Sequence, residues 1–401
     1  MGEKMVTIGY AAFRSCGNLT TLELPESLLE IGTSAFEGCT GLREITFRGS
    51  APQIGNTAFG NVNATVYYPG MDNTWTSAVR QNYGGYLIWT PYGAPNIDGV
   101  IRLAGSSRYE TAFAVADQLK DNLGVESFDC VVVAYGQNFP DALTGSYLAS
   151  VKNAPILLTE NNSQIQEKVT QYIQKNVVEG GTVYILGGTA AVGSEFEEWL
   201  QIVGFRVIRL KGANRYDTNL AILREAGVNT ACDVLIATGK NYADSLSASA
   251  TGLPMLLVGD KLTEAQQNFL WSTSRRFVII GGTGAVSQAV EAELSAIGEV
   301  VRIKGSDRYA TSVEIAKRYF DTPMTAVLAY AQGFPDGLCG GPLAITMGAP
   351  LVLTSNDNFA IADDYIRDIY VGAVTGGTGR ISDDTVRQIF DLNPGTPIPK
   401  R

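Results

Sequence analysis

Arg102-Leu103-Ala104-Gly105-Ser106-Ser107-Arg108-Tyr109-Glu110-Thr111 is the stretch that decides the fold. The same frame, Arg-(Leu/Ile)-x-Gly-x-x-Arg-Tyr-x-Thr, returns at 209–218 and again at 302–311. Each copy is followed by matching blocks in a fixed order. Phe139-Pro140-Asp141-Ala142-Leu143 corresponds to Tyr242-Ala243-Asp244-Ser245-Leu246 and Phe334-Pro335-Asp336-Gly337-Leu338. Ala154-Pro155-Ile156-Leu157-Leu158 corresponds to Leu253-Pro254-Met255-Leu256-Leu257 and Ala349-Pro350-Leu351-Val352-Leu353. Gly187-Gly188-Thr189 corresponds to Gly281-Gly282-Thr283 and Gly376-Gly377-Thr378. The copies begin 107 and then 93 residues apart, so each repeat is long enough to be a small domain.

Within one repeat, short apolar runs alternate with helical patterns. Val131-Val132-Val133-Ala134 reads as a buried strand, and Pro140 suits the first turn of a helix. Ile156-Leu157-Leu158 reads as the next strand. Ile165, Val169, Tyr172 and Ile173 form one stripe of an amphipathic helix over 163–176. Val183-Tyr184-Ile185-Leu186 is a strand that ends at Gly187, and Arg206-Val207-Ile208 delivers the next Arg-Tyr motif. Continuous apolar strands between helices predict an α/β fold with a parallel sheet covered on both faces. Ligands of such sheets bind beyond the carboxyl ends of the strands, where all the repeated polar residues fall.

A shorter repeat precedes this region. Ile8-Gly9-Tyr10-Ala11-Ala12-Phe13 returns as Ile31-Gly32-Thr33-Ser34-Ala35-Phe36 and Ile54-Gly55-Asn56-Thr57-Ala58-Phe59, at a period of 23 residues. Between copies run Cys16-x-x-Leu19-x-x-Leu22-x-Leu24 and Cys39-x-x-Leu42-x-x-Ile45-x-Phe47. This period and spacing predict a leucine-rich-repeat solenoid, with Cys16 and Cys39 in one column of its core. It resembles the BspA-like repeats of bacterial surface proteins. The aromatic stretch 67–92, with Trp75, Tyr83, Tyr86 and Trp89, reads as its C-terminal cap. The expected boundaries are 1–93 for the solenoid and cap, then 94–207, 208–300 and 301–401 for the long repeats.

Composition removes whole classes of chemistry. The chain has 401 residues, 45% hydrophobic and 17% charged, which is globular rather than disordered. It has no histidine, so no Ser-His-Asp triad, Cys-His dyad or histidine-ligated zinc is available. The five cysteines form no C-x-x-C pair and are expected to be buried small hydrophobes. A net charge of −10 argues against nucleic acid. No apolar run is long enough to cross a membrane. Met1-Gly2-Glu3-Lys4 lacks the apolar core of a signal peptide and opens inside a repeat, so a native start upstream of Met1 is expected.

The repeated polar residues are the candidate sites. Arg108, Arg215 and Arg308, set against Asp141, Asp244 and Asp336, read first as a bidentate structural pair inside each repeat, and second as cations for an anionic ligand. Gly-Gly-Thr reads as a tight turn rather than a phosphate cradle, since neither G-x-G-x-x-G nor GxxxxGK[ST] is present. No cofactor and no metal are expected. Tyr109, Tyr216 and Tyr309 suit either a sugar ring or, more commonly, packing at a helix start.

Residues 98–393 resemble three tandem modules of the cell wall binding repeat type 2 family. The resemblance rests on the Arg-Tyr, Phe-Pro-Asp, Ile-Leu-Leu and Gly-Gly-Thr blocks. It implies three Rossmann-like modules packed as an intramolecular pseudo-trimer, which hold a surface protein non-covalently on a Gram-positive wall through an anionic, teichoic-acid-like polymer. It implicates Ile156, Leu157 and Leu158 in attachment, and through them Met255, Leu256, Leu257, Leu351, Val352 and Leu353, where the motif is altered. With Arg102, Arg209 and Arg302, the second arginines and the tyrosines, these are the candidate polymer contacts. Such modules accompany a zinc amidase in some proteins, but the chain has no histidine to bind that zinc, so a non-catalytic role is expected. The alternative is a carboxylate-dependent hydrolase or transferase of wall glycans using Asp141 or Asp336. Residues 96–401 carry 25 Lys and Arg against 33 Asp and Glu, a net −8 that opposes an anionic ligand unless arginines cluster at module junctions or a divalent cation bridges. The partner of the leucine-rich repeats is left open.

Overall fold

A computed structural model describes residues 4–69, 74–75, 79–92, 99–228, 232–273, 275–320 and 323–401. The chain divides into two compact units, Met1–Asn96 and Ile97–Arg401.

In the first unit the 23-residue period becomes two parallel ladders. Thr7–Ile8, Glu30–Ile31 and Gln53–Ile54 form one, with Ile8 opposite Ile31 and Ile31 opposite Ile54. Thr21–Leu24, Glu44–Phe47, Asn63–Pro69 and Tyr86–Tyr92 form the other. Alternate residues of these strands turn inward, Leu22, Leu24, Ile45 and Phe47 all being buried. The repeated phenylalanines stack in a column, Phe13 on Phe36 at 5.3 Å and Phe36 on Phe59 at 5.5 Å between centroids. The expected cap takes the form of two further strands of the same sheet, closed by Trp75 and Trp89 against Phe47 and Tyr68. The remainder of that stretch, 70–73 and 76–78, and the boundary expected at 93/94 lie outside the described residues. Cys39 is buried and its thiol donates to the Phe13 carbonyl at 3.0 Å. Cys16, expected to be buried with it, is exposed, because it lies on the outermost described coil.

The Ile-Gly step of the motif has a steric cause. A Cβ on Gly55 would lie 2.4 Å from the Thr33 amide nitrogen, and one on Gly32 would lie 2.7 Å from that of Tyr10. Successive coils therefore touch backbone to backbone at this position.

The second unit contains three four-stranded parallel sheets. The first has the order Ile156–Thr159, Phe128–Tyr135, Val177–Leu186, Arg206–Leu210. The second has the order Met255–Val258, Val234–Thr238, Arg276–Ile280, Glu299–Ile303. The third has the order Leu351–Thr354, Thr325–Tyr330, Val371–Thr375, Val100–Leu103. The strand leading into each Arg-Tyr motif thus completes the sheet of the preceding module. The first such strand, Val100–Leu103, completes the sheet of the last. The boundaries expected at 207/208 and 300/301 fall inside exchanged strands, and the 94–207 repeat gives its first strand to the third sheet.

The ring is closed a second way. The Arg102 amide donates to the Pro399 carbonyl at 2.8 Å, and the Arg401 amide returns to the Arg102 carbonyl at 2.9 Å. Around the ring, helix Pro140–Val151 packs on Arg215–Ala226, Ala243–Ala248 on Arg308–Tyr319, and Gly340–Thr346 on Arg108–Leu123. This cyclic pattern is the intramolecular pseudo-trimer.

Gly55→Ala should cost about 1–3 kcal/mol by forcing two coils apart. Gly9→Ala, whose Cβ meets nothing within 4 Å, should leave stability near that of the wild type. Thermal unfolding of the two variants, followed by the near-ultraviolet signal of Trp75 and Trp89, checks the difference.

Candidate functional site

Every repeated polar residue lies where the chain crosses from one sheet to the next. The crossing is shaped by local rules. Ser107, Asn214 and Asp307 cap the helices that begin at the second arginine, their side chains accepting from backbone amides of the first turn. The motif threonine turns back to the motif glycine: Thr111, Thr218 and Thr311 Oγ1 accept from the amides of Gly105, Gly212 and Gly305 at 3.2, 3.1 and 3.0 Å. A Cβ on these glycines would stand 2.2–2.4 Å from the following helix, so the loop admits no side chain.

The first arginines act as clips. Arg102 donates to the carbonyls of Gly376 (2.8 Å) and Ile381 (2.9 Å) and pairs with Asp383 at 2.7 Å. Arg209 donates to Gly187 and Gly193 and pairs with Glu197 at 2.7 Å. Arg302 donates to Gly281 and Val286 and pairs with Glu291 at 2.8 Å. Each clip ties an exchanged strand to the Gly-Gly turn and to a carboxylate in the first turn of the module's last helix. These guanidiniums are almost fully buried and spent on the fold, which removes them as polymer contacts. The spacing between Gly-Gly and the acid varies, so sequence reading passed over Glu197, Glu291 and Asp383.

The second arginines are only half-buried. Arg108, Arg215 and Arg308 each donate from Nη1 to the carbonyl just after a central strand, to Gly136 (2.6 Å), Gly239 (2.6 Å) and Ala331 (2.8 Å), and Arg308 Nη1 also reaches the Tyr242 hydroxyl at 3.4 Å. The bidentate Arg–Asp pair expected inside each repeat does not form, since no ion pair of Asp141, Asp244 or Asp336 occurs among the described residues. Strand exchange shifts the partnership by one module. The guanidinium acting on Asp141 is Arg215, that acting on Asp244 is Arg308, and Asp336 feels Arg380 and Arg108. Each carboxylate packs on the first glycine of its own Gly-Gly turn. A Cβ on Gly187, Gly281 or Gly376 would come within 2.4–2.6 Å of the Asp Oδ2, and φ there is +94°, +97° and +97°. Burial raises all three acids, that of Asp141 from 3.8 to about 6, against the opposing pull of the arginines.

The aromatic that opens each Phe-Pro-Asp block lies between the modules. Phe139, Tyr242 and Phe334 touch one another edge to face, at 5.8, 5.9 and 5.5 Å. Arg215 lies 5.9 Å from the Phe139 centroid, and Arg308 lies 5.8 Å from that of Tyr242. Three arginines, three carboxylates and three rings thus share the central region at the strand ends. Where the third module meets the first, a cavity of about 350 Å³ opens between Arg108, Asp336 and Arg380.

The other candidates are placed differently. All nine residues of the Ile-Leu-Leu, Met-Leu-Leu and Leu-Val-Leu triplets are at most 2% exposed, on edge strands covered by the Arg-Tyr helices. They cannot touch a polymer, because every side chain is spent on the core. Tyr109 and Tyr309 are buried, and Tyr216 packs on Gly239, so none offers a free face to a sugar. The Tyr109 hydroxyl accepts from Gln137 at 3.1 Å, and that of Tyr309 meets Ser355 at 3.1 Å. No group of three or more Cys, Asp or Glu side chains suited to a metal occurs among the described residues. Nor is any described helix long and apolar enough to cross a membrane.

The three repeats match the family described as Cell wall binding domain 2 at residues 102–197, 209–291 and 302–386. The chain belongs to this family. Residues 3–69 match the BspA type Leucine rich repeat region. Two curated relatives from Bacillus subtilis (strain 168) are similar. N-acetylmuramoyl-L-alanine amidase LytC is 28% identical over 285 residues, covering 69% of this chain and 54% of that protein. Amidase enhancer is 28% identical over 304 residues, covering 74% and 41%. The chain therefore spans about half the length of these relatives. Among solved structures, Cwp8 from Clostridium difficile aligns with a TM-score of 0.66 at 25% identity, over 74% of this chain and 52% of that one. Cwp6 from the same organism aligns at 0.61 and 23%, over 70% and 46%, a likeness of fold. The chain is a cell wall binding surface protein with tandem modules and leucine-rich repeats.

Two outcomes follow from this geometry. Arg209→Ala strands Glu197 and two carbonyls, and should lower unfolding free energy by about 3 kcal/mol or more in denaturant titration. Asp141 takes up a proton on folding between its ordinary pKa and about 6, so it costs stability as pH rises through that window. Asp141→Asn removes this dependence. The variant should gain on the wild type from pH 4 to pH 7, by up to about 3 kcal/mol, in denaturant titrations at each pH.

Proposed function

We propose that the chain is a non-catalytic surface protein, held on the wall by an anionic, teichoic-acid-like polymer and presenting its leucine-rich solenoid to a further protein or host ligand. One observation carries the proposal. The second arginine of each repeat stands at a module junction with one nitrogen fixed to a carbonyl and the rest of its guanidinium half-buried, free of any ion pair among the described residues. Guanidinium forks suit phosphate and carboxylate oxygens. Their clustering at the strand ends supplies local positive charge in a unit whose net charge is negative. The buried triplets enter this reading as the floor on which the Arg-Tyr helices rest, and so act on attachment through the fold.

The amidase activity in the name of one relative is not carried over, since the chain lacks histidine for a zinc site. A hydrolase reading would rest on Asp141 and Asp336, whose acids are raised by burial. The same carboxylate recurs in all three modules, packed on a glycine turn, which suits a structural acid better than a catalytic one.

The whole chain should sediment with purified Gram-positive walls and stay in solution once the polymer is stripped. Replacing Arg108, Arg215 and Arg308 together by Gln should abolish sedimentation, and raising salt to 0.5 M (about a 4–5 Å screening length) should weaken it. Binding to stripped walls equal to that on intact ones would refute the proposal. Release of sugar or peptide from walls, lost in Asp336→Asn, would establish the hydrolase instead.

A further inference from the structure

Two differences beside the central aromatics set the third-to-first junction apart from the other two, which in turn carry Lys211 and Lys304 where it has Ala104. Four residues after the first glycine of each Gly-Gly turn stand Ala191, Ala285 and Arg380. Just before the central aromatic stand Asn138, Asn241 and Gly333. The two asparagines fold back on the chain, Asn138 Oδ1 accepting from the Phe139 amide at 3.0 Å and Asn241 Oδ1 from that of Tyr242 at 2.7 Å. Gly333 has no side chain to place there, and the cavity of about 350 Å³ lies beside it.

Arg380 lines that cavity, exposed, and its side chain makes no hydrogen bond or ion pair among the described residues. Its guanidinium is held over the Tyr330 ring, 5.3 Å from the centroid. A Cβ on Gly333 would press on that ring at 3.2 Å, so the glycine also gives the Tyr330–Arg380 stack its room. Arg108, the Ser106 and Ser107 loop and Asp336 line the same cavity, and both guanidiniums act on the Asp336 carboxylate. Two guanidiniums facing one carboxylate leave an excess of one positive charge. The volume is at the lower end of small-ligand sites, about 300–1,000 Å³.

We propose that the third-to-first junction is a subsite for one singly charged oxyanion of a sugar polymer, a phosphodiester or a carboxylate, gripped between Arg108 and Arg380. The other two junctions have alanine in place of the Arg380 guanidinium and an asparagine side chain in place of Gly333. The molecule then engages its polymer at one subsite of this kind rather than three equal ones. This inference rests on the wall-binding reading above.

The test uses the whole chain and three probes: glycerol-phosphate oligomers, oligogalacturonate and a neutral maltooligosaccharide, each titrated calorimetrically. The wild type should bind at least one anionic oligomer with a stoichiometry of one, and the neutral one not at all. Preference for the first names a phosphodiester and for the second a carboxylate. Arg380→Ala should weaken binding by about tenfold or more, without unfolding the chain, since the side chain makes no bonds to it. Gly333→Asn should weaken it comparably with no charge removed. Equal affinity of the wild type and Arg380→Ala, a stoichiometry of three, or equal binding of the neutral probe would overturn the subsite. Sedimentation with purified walls, run on the same samples, separates the two claims. Wall binding that survives any of those results leaves the wall-binding proposal standing, and a wild type that fails to sediment removes both.

Discussion

One strand per module is held by its neighbour, and the rest of the second unit depends on that exchange. No repeat completes its four-stranded sheet from its own residues. The first repeat finds its fourth strand in Arg206–Leu210, the second in Glu299–Ile303, and the third only in Val100–Leu103, hundreds of residues back along the chain. The buried arginine in each exchanged strand makes the join specific. A guanidinium out of water requires acceptors on several sides, and the Gly-Gly turn, a carbonyl just before the last helix and the acid of that helix supply them from the preceding module. Removing one clip therefore uncovers polar groups in two modules at once, which makes the ring a cooperative whole.

The exchange also explains where the chemistry sits. A chain that leaves one sheet and enters the next must cross at the strand ends, and the Arg-x-x-Gly-x-x-Arg-Tyr-x-Thr motif is that crossing. Its first arginine anchors the sheet being left. Its glycine lets the loop lie against the next helix, its threonine ties that loop, and its second arginine and tyrosine dock on the sheet being entered. One motif thus builds both the scaffold and the junction.

Much of this was legible in the residues. The period of the solenoid and the four ordered blocks follow from recurring residues, and the parallel sheets and the helix over 163–176 from apolar spacing. Strand exchange was not legible, because an apolar strand fits the edge of any parallel sheet and its neighbours in sequence are no guide to its neighbours in space. That gap caused the misplaced Arg–Asp pair: the residue types were right, and the partnership was displaced by one module. The helix caps varied among Ser107, Asn214 and Asp307, which hid them from a search for identical residues. Composition alone read the Ile-Leu-Leu triplets as core, and it is the core that holds them. Gly333 and Arg380 were visible only as departures from the repeat, and departures carry meaning once the structure shows that both face one cavity.

The acidic net charge then loses its force as an objection to an anionic ligand. Charges beyond about 10 Å are screened in ordinary salt, so a site responds to the few groups around it. Three of the repeated arginines are consumed by the clips, and three stand at junctions beside a carboxylate whose proton burial retains more readily than usual. Such a junction is neutral with the carboxylate ionised and positive with it protonated, and in neither state does it repel an anion. Arg380 adds to one of the three a second guanidinium, without an ion pair and set over a ring that costs it little hydration. A threefold scaffold built for stability can therefore present one distinct site, and the polymer has to find only that junction to be held.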